Sequence, residues 1–250
     1  GNLYGKFTGP STTGIRTAAI WDDFPFERIR NNEVAGVATE YGSPGLGSSE
    51  NGWLLTATNA AEAGAANATG SALSIDGADN DIGAISLAND ALTLNTSSGL
   101  MCFETRIKVS NLTASKHTLF VGLCDGAPAA ANPQNTGGTA IDQKSIGFFK
   151  DTGATTSVDA VSFGAAVNDI KAGVTTMTAD TFIQLGLKYD PITQVVTFFV
   201  DGAAQDDTVA ISNANTPNDV NLRAVVSSVS QAAQAQVLTI DWIRVGQINP

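Results

Sequence analysis

The sequence predicts an all-β protein, an antiparallel β-sandwich of jelly-roll type preceded by an extended N-terminal arm. Three observations favour this fold class. Apolar residues recur mostly with a period of two, which is typical of half-buried strands. Turn signals separate these short stretches every ~8–12 residues. The 250 residues contain no long amphipathic helical pattern and no internal linker, so residues 21–250 are predicted to form one sandwich domain.

The first 20 residues, GNLYGKFTGPSTTGIRTAAI, show no sustained alternation and are punctuated by glycine, proline, serine and threonine. This composition predicts an extended arm over residues 1–20. Isolated apolar side chains would anchor such an arm to a partner surface, and cations would pair with carboxylates there. The candidate contact residues are Tyr4, Lys6, Phe7, Ile15 and Arg16. A frayed terminus is the competing interpretation.

Short strands follow from Trp21 onward, and the first of them is broken by Pro25. The stretches GWLLTAT, SALSIDG, DIGAISLA and ALTLN are predicted strands, and the Ala-rich NAAEAGAANATG is predicted to be a loop because Gly64 and Asn67 interrupt it. The clearest alternation is in LMCFETRIKVS, residues 100–110. One face of that strand carries Met101, Phe103, Ile107 and Val109, and the other carries Glu104, Arg106 and Lys108. This is the pattern of a strand with one buried face.

The second half of the chain continues the strand pattern. HTLFVGLCDG precedes a long loop rich in alanine, proline, glycine and asparagine. SIGFFKDTGATTSVDAVSFG is predicted to be a hairpin with its turn at Asp151–Gly153. FIQLGLKYDPITQVVTFFVDG, from Phe182 to Gly202, is a second predicted hairpin. VNLRAVVSSVS and QVLTIDWIRVGQ close the chain, and the large apolar residues of the last strand predict an internal position in its sheet.

The charge of the chain limits the partners it is expected to have. The formal net charge is −11, and residues 1–30 are the basic exception with a net charge of +1. An acidic body disfavours nucleic acid, because phosphate binding needs clustered lysine and arginine. No apolar run approaches the ~18 residues of a membrane helix, so no membrane span is expected. No basic segment followed by an apolar stretch begins the sequence, so no signal peptide is expected in this form.

The two cysteines, Cys102 and Cys124, leave two alternatives open. If the turn between their strands is centred near Thr113, the two residues lie opposite each other and a disulfide between them is one alternative. Two partly buried free thiols are the favoured alternative, because facing residues rarely reach good disulfide geometry.

Three segments in order resemble the concanavalin-A-like lectin/glucanase superfamily. FETRIKVS is similar to a strand common in that superfamily, LGLKYDPITQVVTFFVDG resembles its paired strands with an Asp-Gly end, and LTIDWIRVGQ resembles its closing strand. The resemblance spans roughly Trp21 to Gln247. It implies a concanavalin-A-like jelly roll.

A narrower resemblance links the chain to virion proteins of tailed bacteriophages that have this sandwich. It is carried by IWDDF, GLMCFETRIKVS, LFVGLCD, SIGFFKD, VTFFVDG and IDWIRVGQ. The resemblance implies a capsid decoration protein on the outer surface of the virion head. The expected partners are the major capsid protein, bound through the arm and the base of the sandwich, and further copies of the chain, with a trimer favoured.

No catalytic residue is predicted. Glucanases of this superfamily carry E-x-D-x-x-E on one strand, where two carboxylates act as nucleophile and general acid. The region IDQKSIGFFKD, where that strand is expected, lacks the pattern. Glu104 and Arg106 are interpreted as a surface ion pair. The single histidine, His117, lies at a turn-to-strand junction and is interpreted as solvated. The chain is therefore predicted not to be an enzyme.

No metal or cofactor is predicted either. The acidic turn DGADND does not fit the calcium-loop pattern, and the cysteine and histidine spacing matches no zinc ligand set. The alternative function is a lectin-like carbohydrate-binding module on a virion or cell surface, which needs an exposed aromatic platform. Among the tryptophans, Trp242 is interpreted as core, and Trp53 is ambiguous.

Overall fold

The computed structural model describes residues 17–22, 39–41, 53–58, 71–75, 82–87, 90–113, 117–126, 134, 143–151, 153, 156–164, 168–230 and 236–248. Within these ranges the chain forms two antiparallel sheets and no helix, which confirms the predicted fold class. None of the described segments is a helix of the length and hydropathy that a membrane crossing requires.

The strands divide between a seven-stranded and a nine-stranded sheet. The seven-stranded sheet contains β1 (Thr17–Asp22), β4 (Ser71–Ile75), β7 (Met101–Val109), β12 (Ile183–Asp190), β13 (Val195–Val200), β14 (Ala203–Ala210) and β16 (Gln236–Ile248). The nine-stranded sheet contains β2 (Thr39–Tyr41), β3 (Trp53–Thr58), β5 (Ile82–Leu87), β6 (Leu92–Thr93), β8 (His117–Cys124), β9 (Ser145–Lys150), β10 (Ser157–Phe163), β11 (Asn168–Thr176) and β15 (Asn221–Ser230).

The order of strands shows that the chain repeatedly changes sheets. The seven-stranded sheet runs β1-β16-β7-β12-β13-β14, with β4 pairing the first half of β16. The nine-stranded sheet runs β11-β10-β9-β8-β15-β5-β3-β2, with β6 pairing the start of β15. Consecutive strands β7 and β8 belong to different sheets, as do β15 and β16. These crossovers place the two sheets face to face as a sandwich.

The main core lies between the two sheets. Alternate residues of β7 and β12 fill it from one side, and alternate residues of β8 and β9 fill it from the other. Phe148 and Phe198 meet there edge to face, with ring centroids 5.4 Å apart, a favoured geometry for aromatic pairs. Buried Tyr189 donates a hydrogen bond from its hydroxyl to the Asn95 carbonyl at 2.9 Å, which satisfies its polar end.

The two clearest strand predictions are confirmed. The four apolar residues predicted on one face of β7 are all buried in the core. The hairpin predicted from Phe182 to Gly202 forms from β12 and β13, with Leu185 paired to Val200 and Asp190 to Val195. The last strand, β16, is internal to its sheet, since β1 and β4 lie on one side and β7 on the other.

The N-terminal region is described from Thr17, where β1 begins. β1 pairs with the end of β16, with Thr17 opposite Ile248 and Asp22 opposite Ile243. The last four residues of the predicted arm, 17–20, are therefore part of the seven-stranded sheet. The five candidate contact residues of the arm lie outside the described residues.

Candidate functional site

The outer face of the nine-stranded sheet carries a second apolar cluster. Its buried members are Phe120, Cys124, Phe149, Val161 and Val225, with Phe163 packed against them. They come from the outward-facing positions of four adjacent strands, because their inward-facing neighbours belong to the main core. The outer face of an antiparallel sheet normally carries polar, solvated side chains. This face instead carries buried apolar side chains.

Two glycines lie in the middle of this face. Gly122 of β8 is paired with Gly147 of β9. A Cβ atom on Gly122 would lie 2.3 Å from the Ile146 carbonyl oxygen and 2.6 Å from the Gly147 Cα. The two backbones therefore approach too closely for any side chain at this point, and the adjacent Phe120 and Phe149 pair flanks the gap.

Few polar groups lie on the described part of this face, and two of their buried atoms, Ser86 Oγ and Gln134 Oε1, have no hydrogen-bond partner. Gln134, between β8 and β9, is buried and donates a hydrogen bond from Nε2 to Ser227 Oγ at 3.2 Å. Asp159 is the one carboxylate that β8, β9, β10 and β15 place on the described part of this face. It accepts a hydrogen bond from the Gly173 amide at 2.7 Å. These four strands therefore place a single carboxylate on the described part of this face, whereas glycoside hydrolysis uses a pair.

An ion pair with a buried arginine lies at one end of this face. Arg223 of β15 is paired with Asp90 at 2.6 Å, and its side chain is 4% exposed. Cys124 lies directly opposite Arg223 in the strand register. Burial raises the pKa of the Cys124 thiol to about 12, although the nearby Arg223 charge acts in the opposite direction. A thiol with this pKa stays protonated near neutral pH, and the thiolate is the nucleophilic form.

The outer face of the seven-stranded sheet differs, because it carries charged and aromatic side chains. Glu104 of β7 is buried there and accepts a hydrogen bond from Gln184 Nε2. Burial raises the pKa of Glu104, while the Gln184 hydrogen bond and the Arg244 charge act to lower it. Arg244 lies opposite Glu104 in the register.

Cationic side chains lie over two aromatic rings on this face. The Arg244 guanidinium lies 4.2 Å from the Trp242 ring centroid. The Arg106 guanidinium lies 4.3 Å from the Phe182 centroid, and Lys108 Nζ lies 5.0 Å from it. Both rings are half-buried, so they combine apolar contact area with an attached positive charge.

Several sequence-based interpretations are corrected by this geometry. Arg106 pairs with Asp241, and Glu104 pairs with Gln184, so the predicted Glu104–Arg106 surface pair is wrong. Trp242 is on the outer face and not in the core, because a β-bulge between Ile240 and Trp242 shifts the alternation of β16. His117 does begin a strand, but it is buried and not solvated.

The disulfide alternative is also corrected. Cys102 and Cys124 are both buried, and neither forms a disulfide. Their strands, β7 and β8, belong to different sheets and do not pair. Both residues occupy outward-facing positions, as the register beside Gly246 and Arg223 shows, so the core separates the two thiols. The favoured interpretation, two thiols without a disulfide, agrees with the structure, but both thiols are fully and not partly buried.

No grouping of His, Cys, Asp or Glu side chains within the described ranges is suited to holding a metal ion. The features that distinguish the two outer faces are a closed apolar surface on the nine-stranded sheet and a cationic, aromatic surface on the seven-stranded sheet. Periodicity could place residues on these faces. It could not show that the first face is covered or that cations stack on the rings of the second.

Comparison with known proteins identifies the fold. No family model matches the chain, and no curated protein sequence matches it significantly. Solved structures do match it. Peanut lectin superposes with a TM-score of 0.57 at 13% identity, covering 93% of this chain and 97% of the lectin. The fold is that of the concanavalin-A-like lectins and glucanases.

Two further structures show how broad this likeness is. An endo-1,3-beta-glucanase from Streptomyces sioyaensis matches with a TM-score of 0.55 at 16% identity, covering 97% of this chain and 99% of the enzyme. The carbohydrate recognition domain of Emp46p in its potassium-bound form matches with a TM-score of 0.51 at 10% identity, covering 77% and 87%. Lectins and an enzyme therefore share this scaffold, and function depends on the residues placed on it.

Proposed function

We propose that this chain is a non-enzymatic structural protein of a bacteriophage particle. In this role it is a capsid decoration protein on the outer surface of the head, and it binds the major capsid protein through its N-terminal arm and the base of the sandwich. The observation that carries the proposal is the closed outer face of the nine-stranded sheet. Phe120 and Val225 are each 0% exposed there and Phe149 is 4% exposed, so this part of the face offers no open cleft.

Two further features support a role in assembly. The short segments that resemble tailed-phage virion proteins coincide with strands β7, β8, β9, β13 and β16, all of which build the sandwich. Thr17 begins β1 at the edge of the seven-stranded sheet, so the preceding residues start from a fixed point. An arm attached there would add its own apolar contacts to those of the body.

The arm is tested by a deletion that leaves β1 intact. Removing residues 1–16 keeps the pairing of Thr17 with Ile248, so the sandwich should fold as before. We expect this variant to lose co-sedimentation with capsids of the phage that encodes it, whereas the full chain pellets with them. A second, full-length variant replaces Tyr4 and Phe7 with serine to test these two side chains without shortening the arm. It should also bind capsids much more weakly. Undiminished binding by the deletion variant would contradict the arm's role, and absence of the chain from purified virions would contradict the function itself.

A carbohydrate-binding module is the second candidate, favoured by the half-buried Trp242 and Phe182 rings on the outer face of the seven-stranded sheet. Aromatic rings beside hydrogen-bonding groups are a suitable platform for sugars. A glycan array compares the wild type with Trp242→Ala and with Ile192→Ala, which alters an exposed turn residue. Binding that is lost in Trp242→Ala alone supports this candidate, and a blank array for the wild type rejects it.

A further inference from the structure

Positive charge is concentrated on one surface of this acidic protein. The outward-facing positions of β7, β12 and β16 are set by their register. The cations at these positions, called here the basic face, are Arg106, Lys108, Lys188 and Arg244. The whole chain, in contrast, has a net charge of −11.

Three carboxylates of the same strands lie near the basic face. Asp241 pairs with Arg106, and buried Glu104 faces Arg244. Asp190 shares the outward side of β12 with Lys188, and its carboxylate accepts a hydrogen bond from the Ile192 amide. Lys108 and Lys188 lie at other positions of the face, with Lys188 opposite Cys102 and Lys108 opposite Thr239. All four cations are partly exposed, and among the described residues of these three strands they outnumber the three carboxylates by one.

The basic face also has the composition of a protein-binding surface. Trp242 and Phe182 lie among its cations, each ring within about 5 Å of a charged group. Tryptophan and arginine are the residue types most enriched at the energetic centres of protein interfaces. A sheet face with these side chains suits another protein surface of opposite charge.

An acidic surface lies at the far edge of the same sheet. β14 is the last strand in the sheet order and pairs with β13 alone among the described strands. Its adjacent Asp206 and Asp207, called here the acidic edge, are exposed and half-buried respectively. Asp201, in the turn that leads into β14, adds a third carboxylate, which is exposed.

We propose that the basic face of one copy of this chain binds the acidic edge of a second copy. A second copy is the partner we choose because its acidic edge is known from the same structure. The carboxylates of that edge complement the cations of the basic face. The contact joins two different surfaces, so it is heterologous, and repeating it produces a closed ring when the rotation closes. The proposal concerns the free protein and does not depend on the virion role.

The direction of the salt dependence tests the proposal. Overall repulsion between chains of charge −11 weakens as salt is added, so without segregated charges association would increase with salt. An interface between the basic face and the acidic edge would weaken with salt. We expect native mass measurement to show oligomers at ~50 mM NaCl that dissociate towards monomers at ~500 mM. A monomer at both concentrations, or association that increases with salt, would overturn the proposal.

Charge reversal locates the two surfaces. We expect Lys108→Glu with Lys188→Glu to weaken self-association at least about tenfold, because the acidic edge is then repelled. Asp206→Lys with Asp207→Lys should have the same effect. Combining all four substitutions reverses both surfaces and should restore the oligomer. Lys171→Glu, on the nine-stranded sheet, is the matched control for a single charge reversal and should leave the mass unchanged.

Two outcomes would contradict the assignment of these surfaces. One is a failure of the four-fold variant to reassemble although circular dichroism shows that it is folded. The other is a basic-face variant that keeps the wild-type mass but no longer binds capsids, which would make the capsid protein the occupant of this face. The mass of the free protein is read without capsids, so a failed proposal here is distinguishable from a failed virion role.

Discussion

Lys150 is the lysine that the fold buries most completely among the described residues. Only 2% of it is exposed, and its ammonium donates hydrogen bonds to the His117 carbonyl at 2.9 Å and the Asp151 carbonyl at 3.2 Å. Burial lowers the pKa of Lys150 to about 8, from an ordinary value of 10.5. Between these two pH values the unfolded chain binds more protons than the folded protein. The free energy of unfolding should therefore rise with pH across this window.

The thiols limit how far that rise continues. Burial raises the pKa of both Cys102 and Cys124 to about 12, so above pH 9 the unfolded chain ionises first and stability falls. From pH 8 to 9 the thiols already begin to ionise in the unfolded chain, but they do so equally in the wild type and in Lys150→Met, so the difference between these two proteins isolates Lys150. We expect urea unfolding to show a more positive change in stability over this interval in the wild type than in Lys150→Met, by up to ~1.4 kcal/mol. Lys171→Met is the control that keeps the wild-type pH slope, and an unchanged pH slope in Lys150→Met would contradict the prediction.

Gln194 has a backbone conformation that favours glycine. Its φ is 56°, in the turn between β12 and β13, where its amide donates a hydrogen bond to the Asp190 carbonyl. The left-handed conformation costs a non-glycine residue ~1–2 kcal/mol, part of which glycine loses again through greater freedom in the unfolded chain. We expect Gln194→Gly to stabilise the protein by about 0.5–1 kcal/mol in urea unfolding.

Asp201 provides the matched comparison, since its φ is 49°. Its carboxylate accepts a hydrogen bond from the Gln184 amide at 2.9 Å, and Asp201→Gly would remove that bond at a cost of about 1 kcal/mol. This variant should therefore gain no stability. Equal stabilisation of the two variants would show that backbone strain alone governs both turns.

β8 and β9 approach each other so closely at Gly122 that they can pair only if this residue has no side chain. Gly122→Ala would bring a methyl group against the backbone of Ile146 and Gly147, and backbone atoms cannot rotate away. We expect a loss of about 1–3 kcal/mol or more. Gly153→Ala is the control, because its Cβ would meet only the Asp151 carboxylate, at 3.4 Å. A tolerated Gly122→Ala in thermal unfolding would mean that the two strands can separate without loss.

Strands with one buried face were predictable from sequence, and edge strands were not. β7 and β12 alternate because one side meets the core, so their periodicity was visible. β14 reads AAQDDTVA and has a single buried residue, Val209, so it carries too few apolar positions for a period-two pattern. β11, NDIKAGVTT, is an edge strand of the nine-stranded sheet and has its largest apolar residue, Ile170, 50% exposed. Both edge strands were therefore missed.

The pairing of strands is a second property that could not be predicted from the local sequence pattern. One alternative from the sequence placed Cys102 and Cys124 opposite each other, on the condition that a turn near Thr113 joins their strands as neighbours. The chain instead crosses from one sheet to the other between β7 and β8. The same limit applies to Trp242. One extra residue at a bulge turns its side chain to the outer face of the sheet and not into the core, as the sequence had predicted. The features that set the two outer faces apart depend on these non-local choices.

The N-terminal and C-terminal parts of the described chain meet in one sheet, since β1 pairs with β16. β16 also pairs with β7, and the buried residues of both sheets form one continuous core. Residues 17–248 should therefore unfold as one cooperative unit. Far-ultraviolet circular dichroism and tryptophan fluorescence should report the same urea midpoint, because Trp242 and the strands of both sheets would be lost together.

Ile243 of β16 tests this cooperativity, because it is fully buried in the shared core. Ile243→Ala removes apolar volume between the sheets and should destabilise the protein by about 2–5 kcal/mol. Both probes should shift by the same amount. Ile192→Ala is the matched control: that isoleucine is 91% exposed in the β12–β13 turn, so its truncation should change stability by no more than ~0.5 kcal/mol. Separate midpoints for the two probes in Ile243→Ala would show that the two sheets unfold independently and that the core does not couple them.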